Sequence, residues 1–423
     1  ILDANASAGH DLIHFAIPGD GPHTIALLSA LPALSESALI DGFTQGGTDC
    51  SVWPPDLRVV LDGANAGGSS DGIMIGAGAD SARVRGLVIH SFGRFGIYVE
   101  SADEVAIHCN LIGTDVTGTV ALGNEEGVRM WASVNSEIGG EGPPYRNLIS
   151  GNLSSGVRFL GGCPQTEVIG NYIGTDVTGM SALPNEFGVY VQSADVTIGG
   201  QEFSAGNLIS GNASQGIVLT SGAGRTLVFS NWIGTDAAGF PVLGNGGGIF
   251  LGAGASDSVI GTRLLDDLWN VIAGNVNHGI NLFNGDTTIG NSIRGNAIFD
   301  NGALGIKIGG TENAPTPNDP GDADDGPNRT QNYPEFESAG WDPAAGQLHL
   351  VYTVPTYPAN ATYPLAIDVY LADEDAQEGA VWLGETVFGL GEHAAGIAQT
   401  RVVPDFAVMA GDVLVAPATD AAG

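Results

Sequence analysis

Asn110-Leu111-Ile112-Gly113-Thr114-Asp115, Asn171-Tyr172-Ile173-Gly174-Thr175-Asp176 and Asn231-Trp232-Ile233-Gly234-Thr235-Asp236 are three copies of one hexapeptide. Their opening, Asn-x-Ile, also begins at Asn147, Asn207, Asn270 and Asn291, which gives steps of 37, 24, 36, 24, 39 and 21 residues. The short steps match one turn of a solenoid, and the long ones carry insertions at matching places. A second register keeps time with the first: Gly, Ile or Val, any residue, then an apolar one. It starts at Gly72, Gly96, Gly127, Gly156, Gly188, Gly216, Gly248, Gly279 and Gly305. Residues two apart in a strand share a face, so Val128 with Met130 and Val157 with Phe159 are predicted to point into the core. A third short strand recurs around Val105–Ile107, Val168–Ile169, Val196–Ile198, Val228 and Val259–Ile260. Three short strands per turn without a helical period predict an all-β fold, a parallel β-helix.

In such a coil the aligned asparagines are expected to bond the backbone and the equivalent Asn of the next turn, because a ligand site does not need one residue on seven turns. The long turns share a twelve-residue insert, Gly113 to Asn124, Gly174 to Asn185 and Gly234 to Asn245. Its Asp and Asn have the oxygens calcium takes, but their repetition favours turn closure.

Four segments follow. Residues 1–55 lack the Asn register and read as an N-terminal cap; 56–312 are the β-helix; 313–334, rich in Pro, Asp and Asn, read as an acidic linker. From 335 to 423 the period becomes two, as in Leu348, Leu350, Tyr352 and Val354, which predicts a small antiparallel β-sandwich. The start at Ile1 reads as processed or trimmed, and the end at Gly423 as cut just after a strand.

The chain carries 47 acidic and 13 basic side chains, a net charge of −34. Such a surface repels phosphate backbones and argues against nucleic acid as a partner. No apolar run approaches a membrane span, so no membrane insertion is expected. Glycine, 66 residues of 423, accompanies 43% hydrophobic residues, so it signals turns rather than disorder. Cys50, Cys109 and Cys163 lack metal-type spacing and are odd in number; one pair forms if the fold brings it together. Sequons occur at Asn5, Asn152, Asn212, Asn328 and Asn360.

Ile17-Pro18-Gly19-Asp20-Gly21-Pro22-His23-Thr24-Ile25, Ile40-Asp41-Gly42-Phe43-Thr44-Gln45 and the three Asn-x-Ile-Gly-Thr-Asp repeats resemble the bacterial secreted right-handed parallel β-helix repeat proteins of the pectate-lyase-like superfamily. Asn318 to Asn328 is similar to the segment with which these helices hand over to an immunoglobulin-like module. The resemblance implies secretion or cell-surface display, and architecture more than chemistry.

The outward column of the Gly-Ile-x-apolar strands holds Met74, Tyr98, Arg129, Arg158, Tyr190, Val218, Phe250, Asn281 and Lys307, with no carboxylate. Tyr98, Arg129, Trp131, Arg158, Tyr190 and Phe250 form a candidate glycan-binding strip, since sugars stack on aromatic faces and arginine pairs with uronates. The plainer reading is that they cover the flank of the sheet. Asp319, Asp322, Asp324, Asp325 and Asn328 place oxygen ligands within ten residues, a candidate calcium site or else a solvated acidic loop.

The function expected is a structural or adhesive one, a stalk, adhesin or fibre subunit, with extracellular polysaccharide or copies of itself as partners. The alternative is a carbohydrate-active enzyme, a lyase or hydrolase acting on acidic polysaccharide. No paired acids or calcium triad on successive coils support it, and Asp266-Asp267 and Asn277-His278-Gly279 read as chance fragments.

Overall fold

The computed structural model describes residues 1–47, 49–202, 205–262, 268–283, 285, 287–310, 313–404 and 407–421. Asp266-Asp267 lie outside the described residues. The chain is a parallel β-helix followed by antiparallel strands. Among the described residues, two parallel sheets have ten strands and a third has nine. The first runs from Asp11–His14 to Ser292–Ile293, the second from His23–Ala26 to Ala297–Phe299, the third from Ile73–Ile75 to Ile306–Ile308.

Alternation decides what the third sheet buries. Val128 sits beside Ile97 and Val157, Met130 beside Val99 and Phe159, and all six are fully buried. The glycine before each inward pair is required by coil stacking. A Cβ on Gly127 would lie 2.5 Å from the carbonyl oxygen of Gly156, and one on Gly188 2.4 Å from that of Gly216. Any larger residue would push two coils apart.

At one corner Asn110, Asn147, Asn171, Asn207, Asn231, Asn270 and Asn296 form a ladder. Each Nδ2 donates to the Oδ1 of the next rung at 2.9–3.1 Å, and each rung from Asn147 onward accepts the backbone N–H of the one before. The expected seventh rung, Asn291, is therefore in another column. It accepts from the backbone N–H of Ser258, and its own N–H donates to Asn328 Oδ1. A second ladder, Asn124, Asn152, Asn185, Asn212, Asn245, Asn275 and Asn301, lines another corner. Asn152 and Asn212, candidate glycan acceptors by motif, are buried rungs. Asp115, Asp176 and Asp236 close their inserts by accepting backbone N–H groups four residues on, at 2.9–3.2 Å.

Residues 1–55 do more than cover an end. Asp11–His14 and Ala38–Asp41 pair in the first sheet and His23–Ala26 opens the second, while the short helix Leu2–Ala6 precedes them. Cys50 and Cys109 form a disulfide with Cα atoms 5.7 Å apart, and Cys163 is free and buried.

After the helix, Glu335–Asp342, Gln347–Thr353 and Ala398–Val402 form one antiparallel sheet. Leu365–Ala372 pairs with Gly379–Phe388, Leu414–Val415 and Ala418–Thr419 in the other. Leu348, Leu350, Tyr352, Ile367, Val369 and Phe388 share their core. Arg294 bridges the two parts, donating to both oxygens of Asp368 at 2.9 Å and to Glu385 at 2.8 Å. Asn301, the last rung of the second ladder, donates to the buried carboxylate of Glu378 through its backbone N–H and its Nδ2. Residues 313–334, expected as an acidic linker, bond to both parts: Asn328 to Asn291 of the helix, and the buried Asp322 and Asn332 to Thr356 and the Pro355 carbonyl.

Candidate functional site

Strand register places the outward column as alternation requires. Tyr98 lies beside Arg129, Arg129 beside Arg158, Arg158 beside Tyr190, then Val218 and Phe250. Trp131, the next outward residue, lies beside Glu100 and Leu160. The column is not free of carboxylates in space, however. Glu126 bends in beneath it, 2% exposed, and accepts from Arg129 Nε at 2.7 Å, from Arg129 Nη2 at 2.6 Å and from Arg158 Nη1 at 3.2 Å. Arg158 also donates to Gln192 at 3.0 Å.

Aromatic rings hold the same guanidinium groups. The Arg129 Cζ stands 4.1 Å from the Phe95 ring centre and that of Arg94 4.6 Å from it; the Arg158 Cζ is 4.7 Å from Tyr190. Phe95 meets Tyr98, and Phe187 meets Tyr190, edge to face. Arg94, Phe95, Glu126, Phe187 and Gln192 belong to this face although alternation alone does not select them. The signal for Glu126 was its place just before a Gly-Val strand, where the chain turns a corner.

Individual members differ in access. Trp131 is 42% exposed, whereas Tyr98 is only 7% exposed and donates its hydroxyl to Glu100. Burial, the Glu100 hydrogen bond and the Glu100 charge push the Tyr98 phenol up to about 12. It therefore keeps its proton at neutral pH and is a poor general base. Burial also raises the Asp71 carboxyl, and Arg94, 3.5 Å away, partly offsets this. Three carboxylates thus stand against three guanidinium groups, all held in fixed geometry. Such a face can orient a bound carboxylate or stack a sugar ring on Trp131.

In the second candidate site Asp319, Asp322 and Asp324 place carboxylate oxygens within 4.8 Å of one another. Asp325 is outside that set. Asn328 is a correction: its Oδ1 accepts from Asn291 and its Nδ2 donates to the Asn291 carbonyl, so its amide is spent ending a column of the helix. Burial pushes the Asp322 carboxyl up to about 6, with Asp324 and Asp319 adding repulsion. The Asp324 carboxyl is likewise raised, by burial first, and its Oδ1 is buried without a hydrogen-bond partner. An orphaned oxygen among three crowded carboxylates is what a hard cation satisfies. Among the described residues no other group of three His, Cys, Asp or Glu converges in this way, and no helix is long and apolar enough to cross a membrane.

No individually curated protein matches the chain in sequence. Among solved structures, the mannuronan C-5 epimerase AlgE6 A-module of Azotobacter vinelandii is 13% identical, over 72% of this chain and 82% of that one, with a TM-score of 0.43. The enzymatically active domain of tailspike protein 2 from bacteriophage CBA120 is 10% identical, over 94% of this chain and 68% of that one, with a TM-score of 0.34. Residues 57–238, which hold Tyr98, Arg129, Trp131, Arg158 and Tyr190 but not Phe250, match the family described as periplasmic copper-binding protein (NosD).

Proposed function

We propose that this chain is an extracytoplasmic structural and adhesive rod, secreted or held at a cell surface, that binds acidic polysaccharide along its third sheet. The observation that carries the reading is the pre-oriented row of Arg129 and Arg158, fixed by Glu126 and aromatic rings beside the exposed Trp131. The Cys50–Cys109 disulfide supports an oxidising compartment. The strands Asp11–His14 and His23–Ala26 pair on one side only among the described residues, and offer an edge to which a second copy adds. Retention on immobilised pectate or alginate tests the glycan reading. Trp131→Ala and Arg158→Gln should each weaken it about tenfold, one bidentate or stacking contact being worth about 1.4 kcal/mol. Retention equal to wild type in both variants removes it.

The alternative, a polysaccharide lyase or hydrolase, draws on the Glu100 carboxylate, which accepts from Tyr98 beneath Arg94. Incubation with pectate and alginate decides: unsaturated products or new reducing ends favour the enzyme.

We further propose calcium at Asp319, Asp322 and Asp324. An all-oxygen set suits calcium rather than copper, which prefers imidazole and sulfur ligands. Calorimetric titration should show heat with calcium and a raised melting temperature, both lost in Asp324→Asn. No heat and no shift in the wild type would return the segment to a plain acidic loop.

A further inference from the structure

Arg146 stands apart from the face described above, beside the second sheet, just before the ladder residue Asn147. Its Cζ lies 4.1 Å from the Tyr172 ring centre and 5.2 Å from that of Trp53, and the two rings meet edge to face. Its Nε donates to the Gly170 carbonyl at 3.1 Å. Trp53 is itself fixed, donating its indole N–H to the Val177 carbonyl, and it lies three residues past the Cys50–Cys109 disulfide. The guanidinium is thus held on one edge and packed against two rings, and among the described residues its Nη groups have no hydrogen-bond partner.

What singles it out is charge. Arg58, Arg85, Arg94, Arg129, Arg158, Arg225 and Arg294 all pair with carboxylates. The other described arginines that do not, Arg83, Arg329 and Arg401, are exposed. Arg146 alone among the described arginines is partly buried without a carboxylate, in a chain with 47 acidic side chains. Burial lowers its affinity for its proton. A half-desolvated cation without a counter-ion is costly in the free protein and gains when an anion arrives.

We infer that Arg146 is a second carboxylate-binding site, separate from the third-sheet face, and that its ligand is a uronate residue of a polysaccharide. The fork of free Nη donors matches a carboxylate bidentately. The partly buried rings of Trp53 and Tyr172 beside the guanidinium offer apolar surface to a sugar ring. An acidic peptide offers the carboxylate without that ring.

Binding of an oligogalacturonate, a neutral dextran oligomer and an oligoglutamate is measured by calorimetry on the whole chain, for wild type, Arg146→Gln, Arg146→Lys and the exposed control Arg83→Gln. The expected result is about tenfold weaker oligogalacturonate binding in Arg146→Gln, an intermediate loss in Arg146→Lys, and none in Arg83→Gln, with dextran and oligoglutamate weak throughout. Circular dichroism establishes that each variant is folded, and Arg146→Lys, which keeps the charge, serves if Arg146→Gln does not fold. Unchanged binding in the folded Arg146 variants overturns the site, and oligoglutamate binding as tight as oligogalacturonate overturns the sugar. The Trp131→Ala variant keeps the two faces distinguishable, since its loss and that of Arg146→Gln are independent if both sites exist.

Discussion

Glu125 and Glu126 are neighbours in sequence with opposite surroundings, which makes them a controlled test of the arginine face. Glu125 is exposed; Glu126 is 2% exposed and accepts three charge-assisted hydrogen bonds from Arg129 and Arg158. In Glu126→Gln one acceptor oxygen survives, so one of the three bonds goes if it takes the Oε1 place and two if it takes the Oε2 place, at about 1.5 kcal/mol each. The guanidinium side chains are 22% and 26% exposed, so water recovers part of that loss. The net expectation is about 1–3 kcal/mol, against less than about 0.5 kcal/mol for Glu125→Gln. Urea denaturation followed by circular dichroism compares the two midpoints. The same substitution raises the local charge by one, so retention on pectate should strengthen and fall more steeply with salt. Equal midpoints for the two variants would refute the reasoning that Glu126 anchors the row.

Asn207→Ala removes a rung that donates to Val168 and Asn231 and accepts twice from Asn171. Several buried polar groups lose their partner, and the cost should reach about 3–5 kcal/mol by the same urea assay; a loss under about 1 kcal/mol would mean that water replaces the amide. Glu378, buried and pushed up to about 7 from an ordinary 4.5, holds a proton that the unfolded chain releases. Its contribution, about 3 kcal/mol, is complete below pH 4.5 and is lost as pH rises to 7. Asp322, pushed up to about 6 from 3.8, acts in the same sense over its own window. Urea midpoints should fall from pH 5 to 7.5 in the wild type and fall less in Glu378→Gln; a midpoint rising with pH would contradict the assignment.

The period-two and coil-length patterns were legible because they are local consequences of stacking: Val128 and Met130 must face inward wherever the coil repeats. The last coil shows where such reading stops. Asn291-Ser292-Ile293 and Asn296-Ala297-Ile298 both carry the Asn-x-Ile motif five residues apart, and only the stacking on Asn270 selects Asn296. The arginine column was legible, but its counter-ion was not. Glu126 lies three residues before Arg129, a spacing that strand alternation assigns to the opposite face, yet its carboxylate accepts from both Arg129 and Arg158. In the acidic loop composition drew attention to five residues, whereas spatial convergence selects three and gives Asn328 to the helix.

The asparagine ladders also have a direction. From rung to rung the amide-to-amide bonds all run toward the C-terminal end, so a column can close on an acceptor beyond the coils. Glu378, whose carboxylate accepts from Asn301, is such a terminus, and Asn328 receives the column of Asn291. Those termini lie after the last coil, so the length of the rod is decoupled from how it ends. A long and a short coil together span 61 residues from Asn110 to Asn171 and 60 from Asn171 to Asn231. The inserts of successive long coils also bond each other, Val177 to Gly118 and Ala237 to Gly179. Duplication or deletion of one such pair would change reach by two coil spacings, about 10 Å, while leaving both rod ends chemically unaltered. Growth by gene duplication, in units of two coils, is therefore open to this architecture where single-coil steps would unpair the inserts.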